Sequence, residues 1–178
     1  MIRLFAAIAI PDEIGEGLLR RQHGLPGAKW RPRSAFHITL RFVGEVAETQ
    51  AEDLDAELAT IAGEPLTLNL EGVGAFGEGD AIEAIWAGVA ENPGLRRLAA
   101  RCESAARRAG LKPDRRAWKP HVTLAYLNRP DPGRVAAWIQ GHNLLKSPPF
   151  RVSGFGLYSS WMGGEASVYR LEASYPLG

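Results

Sequence analysis

The sequence predicts an α+β fold: bilobal, pseudo-two-fold duplicated, with antiparallel sheets, helices on the outside and a central cleft. Three observations lead there. A four-residue stretch occurs twice, as His37-Ile38-Thr39-Leu40 and His121-Val122-Thr123-Leu124, with an offset of 84 residues. Short apolar, β-branched runs alternate with longer stretches of helical period. The order strand, helix, His/Thr strand, helix, strand runs through 2–76 and again through 82–160, before a closing strand over 167–175. Pro65 and Pro149 share the 84-residue offset. A repeat of this length met twice implies two fused lobes in one domain, 1–178, rather than a solenoid. The groove between the lobes is the expected place for a site.

Each element has a local reason. Residues 2–11 form an apolar run ended by Pro11, and Asp12 is placed to cap a helix over 12–23. Residues 25–34 are a loop of Gly, Pro and cations carrying Lys29, Trp30, Arg31 and Arg33. Phe36 to Gly44 is the first motif strand. Leu54, Leu58 and Ile61 give the inward face of a helix over 47–62. A strand over 66–70 passes into a glycine-rich turn at 72–77. A strand at 82–89 precedes a helix over 94–109, with Pro93 at its start and Gly110 at its end. Asp131-Pro132 opens a helix to about 140. A strand over 150–159 and a glycine turn at 163–164 lead to the closing strand.

Composition narrows the functional class. The chain has 178 residues, a net charge of +1, 46% apolar and 23% charged residues, as in an ordinary globular protein. Cys102 is the one cysteine; it cannot form an internal disulfide, which points to the cytoplasm. The apolar run Leu4 to Ile10 reads as a buried strand and not as a signal peptide, because Pro11-Asp12-Glu13 follow at once. No run approaches the ~18 apolar residues that would span a membrane. Charge is unevenly spread. Residues 96–119 carry nine Lys/Arg against Glu103 and Asp114, whereas 45–57 carry six acids and no base. A solvated helix face accounts for part of this, but the basic stretch runs straight into His121 and suggests a phosphate-attracting rim.

The chemistry lies in the repeated stretch. On a strand, His and Thr two apart point the same way, and Ile38, Leu40, Val122 and Leu124 point to the core. A single histidine in such a run is usually structural. Two matched copies in a chain with four histidines can supply a general base and a general acid, since neutral and protonated imidazole coexist near its ordinary pKa of about 6.5. The hydroxyls of Thr39 and Thr123 can hold oxygens of a phosphate. The same alternation puts Arg41 beside His37 and Thr39 as a third phosphate ligand, and puts Phe42 on the core face unless a bulge intervenes. Trp30, among cations, suits either packing or stacking on a base.

These residues resemble the paired motif of the 2H phosphoesterases and, within them, the RNA 2′,3′-cyclic phosphodiesterases, also called 2′-5′ RNA ligases. The resemblance extends through Arg3 to Ile8, Trp30 to Glu45, Gly72 to Phe76, Trp86 to Val89, Lys119 to Leu124 and Tyr169 to Leu171. It implies a bilobal α+β monomer acting on RNA or nucleotide 2′,3′-cyclic phosphate ends, with no cofactor and no metal. By resemblance His121 is the general base that activates water, and His37 is the general acid that protonates the leaving O3′, giving a 2′-phosphate. The reverse reaction would be ATP-independent 2′-5′ ligation. Thr39, Thr123 and Arg41 would bind phosphate; Trp30, Arg33, Phe42, Tyr126, Arg129, Arg115 and Arg116 are candidates for substrate contact. One departure stands out: related sequences often carry Arg two places after the second motif's Leu, where this chain has Tyr126. Either Arg41 or Arg129 replaces it, or the transition-state charge is less well neutralised; a Tyr hydroxyl could still donate a hydrogen bond.

Three other readings use the same residues. A metallohydrolase would need carboxylate or Cys partners at ligand spacing, and neither histidine has them. A binding module could hold phosphorylated RNA ends without turnover, although Arg or Lys would do that more simply than a titrating pair. A phosphodiesterase for 2′-5′ oligonucleotides or ADP-ribose cyclic phosphate would look the same at this level. The glycines at 72–77 lack the strand-to-helix context of a nucleotide loop.

Overall fold

The computed structural model describes residues 1–164 and 166–178. Among them the elements run β1 (Ile2–Ala9), α1 (Asp12–Leu19), β2 (Lys29–Trp30), β3 (His37–Val46), α2 (Glu48–Leu58), β4 (Leu66–Leu68), β5 (Leu70–Phe76) and β6 (Ala84–Val89). They continue with α3 (Pro93–Arg108), β7 (His121–Tyr126), α4 (Pro132–His142), β8 (Phe150–Val152), β9 (Gly154–Gly163) and β10 (Ala166–Pro176). Two four-stranded sheets carry the fold, in the orders β10-β9-β1-β3 and β2-β7-β6-β5; β4 and β8 form a two-stranded sheet of their own. The pairings are antiparallel. The first motif strand is thus in one sheet and the second is in the other, and β3 lies against β7.

Apolar spacing explains the helices. In α3, Leu95, Leu98, Ala99, Cys102, Ala105 and Ala106 are buried, a stripe at helical period that packs on α2 and β3. The Asn92 side chain accepts the Leu95 N–H at 3.0 Å and Pro93 occupies the first turn, so the helix start is fixed twice. Asp131 does the same for α4, accepting the Gly133 N–H at 2.9 Å. Leu54, Leu58 and Ile61 are buried as their spacing predicts, and Ile38, Leu40, Val122 and Leu124 belong to the core.

The structure corrects several boundaries. Helix α1 has Pro11 as its N-cap with no side-chain cap, so Asp12 is its first residue and faces the helix dipole. The expected loop 25–34 contains β2, which pairs with Tyr126 and Ala125 of β7, and a 3-10 turn over Arg33–Ala35. Residues 72–76 belong to β5, not to a turn, and Gly74 pairs with Trp86. Glycine is needed there because the Trp86 indole crosses the backbone, and a Cβ would come within 2.4 Å of it. The turn falls at Gly77, where φ is +94°. The expected strand 150–159 is two strands, β8 and β9, in different sheets.

One irregularity occurs twice. In β3, Thr39 pairs with Ala7 and Arg41 with Ala6, so Leu40 is left without a partner. In β7, Thr123 pairs with Trp86 and Ala125 with Ile85, so Leu124 is left out. Each motif strand therefore bulges at the Leu of its motif, and the alternation of faces slips by one residue beyond it. Both strands show the same burial along six residues, with the sixth, Phe42 or Tyr126, exposed.

Candidate active site

Each motif histidine is the first residue of its strand and is tied to the chain just before it. His37 Nδ1 lies 2.8 Å from the Ala35 carbonyl oxygen, and His121 Nδ1 lies 2.7 Å from that of Lys119. A carbonyl can only accept, so Nδ1 carries the proton in both rings and Nε2 is the nitrogen left for chemistry. This is one device used twice: the backbone two residues upstream sets the tautomer.

Rings enclose each imidazole. His37 lies 4.8 Å from Phe5 and 5.1 Å from Tyr169, centroid to centroid, and Tyr158 stacks on Phe5 at 5.5 Å. His121 lies 4.8 Å from Phe76 and 6.3 Å from Trp86. The apolar walls remove water, and that disfavours the imidazolium. Burial draws the His37 pKa down to about 4, helped by the charges of Arg31 and His121 and opposed by the Ala35 carbonyl. His121 is also held below its ordinary value, by burial and then by the Lys119 ammonium. That ammonium sits 4.3 Å above the Trp86 ring.

Thr39 and Thr123 are half-buried, each two residues after its histidine on the same face. The Trp118 indole N–H donates to the Thr39 carbonyl at 3.0 Å, joining the segment before His121 to the first motif strand. Trp86 is paired with Thr123 across β6 and β7.

Arg41 is the main correction among the expected site residues. The bulge at Leu40 turns it away from the His37 and Thr39 face. It is 8% exposed, is ion-paired with Glu103, and donates from Nη2 to the Lys112 carbonyl at 2.6 Å. Its donors serve Glu103 on α3, the loop after α3 and the Phe42 carbonyl of its own strand. The same bulge brings Phe42 out to 40% exposure instead of into the core, with the Arg116 guanidinium 5.8 Å from its centroid. Tyr126, the matching residue on β7, is 46% exposed under the Arg31 guanidinium at 5.6 Å.

The remaining candidates separate. Trp30 is partly buried and packs toward Trp138, 6.3 Å away, so packing accounts for it. Arg33 is ion-paired with Glu16 and lies 3.8 Å from Asp12, both on α1. Arg129 is exposed just beyond β7 and takes a left-handed φ of 46°. Arg116 pairs with Asp114 at 3.1 Å, and Arg115 is exposed beside it. Arg31 and Tyr169 are the residues that sequence reasoning passed over. Arg31 was visible only as one cation in a basic loop, and nothing local tied Tyr169 to His37. Among the described residues no group of three or more His, Cys, Asp and Glu gathers as a metal site. Nor is any helix among them long and apolar enough to cross a membrane. A hollow of about 550 Å³ beside α3, bordered by Arg97, Arg101 and Leu177, contains none of the motif residues.

Two antiparallel sheets, each contributing a His-x-Thr strand at their meeting place, define the class as a two-histidine phosphoesterase. The chain belongs to the 2′-5′ RNA ligase superfamily, whose family model matches residues 10–161. It is 29% identical to an RNA 2′,3′-cyclic phosphodiesterase of Archaeoglobus fulgidus over 172 residues, covering 95% of this chain and 97% of that protein. Over 126 residues it is 34% identical to the RNA 2′,3′-cyclic phosphodiesterase of Escherichia coli, covering 68% of this chain and 70% of that one. The crystal structure of E. coli LigT complexed with 3′-AMP superposes with a TM-score of 0.79 at 27% identity, covering 99% of this chain and 98% of the other.

Proposed function

We propose that this enzyme hydrolyses RNA and nucleoside 2′,3′-cyclic phosphate ends to 2′-phosphates, with His37 and His121 as its acid–base pair. The carrying observation is the matched tethering of the two imidazoles, Nδ1 to a backbone carbonyl and Nε2 without a partner among the described residues, on strands that meet. One Nε2 takes a proton from water as the water oxygen bonds to phosphorus. The P–O3′ bond breaks, and the other Nε2 gives its proton to O3′. Thr39 and Thr123 hold the non-bridging oxygens. Arg41 is withdrawn from the phosphate set because its donors are engaged elsewhere. Run in reverse with the roles exchanged, the pair would serve 2′-5′ ligation.

The charge environment favours a division of labour opposite to the one the resemblance suggests. His37 is the more strongly held in its neutral form, which suits the base. His121 then serves as the acid. The two-lobed, duplicated arrangement of the chain, with 2–76 and 82–160 as its halves, is part of the same reading. So are a monomeric state and a cytoplasmic setting, the latter supported by the lone, buried Cys102.

The test is incubation with nucleoside 2′,3′-cyclic phosphates, followed by phosphorus NMR, with and without chelator. The expected product is the 2′-phosphate, at an unchanged rate when chelator is present. Saturable binding with no turnover would replace this reading with the binding module.

A further inference from the structure

Arg31 is a buried cation, and among the described residues no carboxylate pairs with it. It directly follows β2, and its backbone N–H donates to the Leu124 carbonyl at 2.8 Å. Its neighbour Trp30 packs toward Trp138. Arg31 lies instead at two tyrosines, Tyr126 and Tyr169, the second of them beside His37, and it is only 6% exposed. The guanidinium carbon is 5.6 Å from the Tyr126 centroid and 5.4 Å from that of Tyr169. Tyr169 in turn meets His37 edge-on at 5.1 Å.

A guanidinium has five N–H donors in a planar fork. Among the described residues one side-chain hydrogen bond to protein is formed here, from Nη2 to the Ser167 carbonyl at 3.3 Å. Arg41 shows what a satisfied buried arginine looks like in this chain, with a carboxylate and two carbonyls around it. A buried cation short of partners is costly unless something anionic completes it. Two tyrosine rings hold the guanidinium in place by their π-faces without neutralising its charge. That arrangement suits recognition of an oxyanion, which a planar fork grips at two oxygens.

We propose that Arg31, held between Tyr126 and Tyr169, is the clamp for the phosphoryl group of the substrate. This rests on the phosphodiesterase reading and names the cation for it. The clamp grips the oxygens of the cyclic phosphate and keeps its charge through ring opening, while the histidines move the protons. Tyr126 and Tyr169 are positioning residues that act through Arg31.

The experiment compares wild type with Arg31→Met, Arg31→Lys and the double variant Arg31→Met/Tyr126→Arg. Position 126 lies directly under the guanidinium, so an arginine there can present its fork to the same space. Folding is checked by circular dichroism. Affinity for inorganic phosphate is measured by titrating the His37 and His121 ring resonances, and steady-state rates are measured with a nucleoside 2′,3′-cyclic phosphate. Arg31→Met should weaken phosphate binding roughly 10- to 100-fold, the range for charge-assisted hydrogen bonds, and should lower kcat/KM at least as much. Arg31→Lys, which keeps the charge and loses the fork, should fall between. The double variant should regain most of the phosphate affinity. Phosphate binding unchanged in a folded Arg31→Met variant, or in Arg31→Lys if Met prevents folding and the double variant regains nothing, overturns the clamp. Failure of the phosphodiesterase reading is distinct: wild type would then turn over no cyclic phosphate, while the loss of phosphate affinity in the variants would still support Arg31 as an anion site.

Discussion

The Nδ1 of His37 lies 2.8 Å from the carbonyl oxygen of Ala35, two residues back along the chain. His121 has the same relation to Lys119 at 2.7 Å. Replacing either histidine with Ala should lower cyclic-phosphate hydrolysis by about 10²- to 10⁴-fold, the usual share of a general acid or base. The double variant should be far less than multiplicatively worse, because the residues act on one displacement. Rates near wild type in either single variant would exclude the pair. Nitrogen NMR should find the neutral rings of both residues protonated at Nδ1.

The roles can be told apart by the leaving atom. A substrate with sulfur in place of the bridging O3′ needs no proton to depart, because a thiolate is stable. If His121 is the acid, His121→Ala should recover on the sulfur substrate and His37→Ala should not. The opposite pattern would return the roles to the assignment the resemblance suggests.

The pH profile follows from the same environment. The base must be neutral, and burial brings the His37 pKa down to about 4. The acid must be protonated, and His121 is held below 6.5. The bell in kcat/KM should therefore be centred below pH 6.5. A maximum on the alkaline side would mean that other groups titrate.

Stability should show the same histidine. The His37 pKa is lower folded than unfolded, so the unfolded chain takes up that proton more readily. Its effect is absent above about pH 6.5. Folding stability is then lost as the pH falls from there to about 4 and levels off below. At about 1.4 kcal/mol per pKa unit, the loss is up to about 3 kcal/mol. Denaturant melts of His37→Gln should lack that part of the acid limb.

Periodicity made much of this molecule legible. The repeated His-x-Thr-Leu stretch places its aliphatic residues in the core, and Leu54, Leu58 and Ile61 face inward as their spacing says. Strict alternation failed at one kind of place. A bulge depends on the partner strand, and nothing within residues 37–42 says that Leu40 will be skipped by Ala6 and Ala7. Arg41 therefore looked like a cleft residue and Phe42 like a core residue, when each is the reverse. Arg31 was hidden for a related reason. Its surroundings come from Tyr126, Ser167 and Tyr169, far along the chain, whereas nearby in sequence it is one of three cations, with Lys29 and Arg33. Of the turn expected at 72–77 only the Gly77 end reverses the chain, because Gly74 serves the close approach of the Trp86 ring within β5.

The last prediction concerns Phe42 and the basic loop. The bulge exposes Phe42, and Arg116 lies over its ring with Arg115 adjacent in sequence. An exposed ring beside guanidinium groups is a platform for a base and its flanking phosphate. Phe42 is also the counterpart of Tyr126, so the platform lies on the motif side of β3. RNA longer than a mononucleotide should use it. Neutralising Arg115 and Arg116 to Gln should weaken binding of an oligonucleotide ending in a cyclic phosphate, and affect the mononucleotide less. Each lost phosphate contact should also flatten the salt dependence by about 0.7 in log–log slope for a single strand. Phe42→Ala should cost the oligonucleotide about 1–3 kcal/mol of affinity, the usual value of a base–aromatic stack, without changing that slope. Apparent affinity for both substrates over a series of salt concentrations separates the two effects. An equal response of both substrates, with the slope unmoved in the arginine variant, would make these charges a solvated face and nothing more.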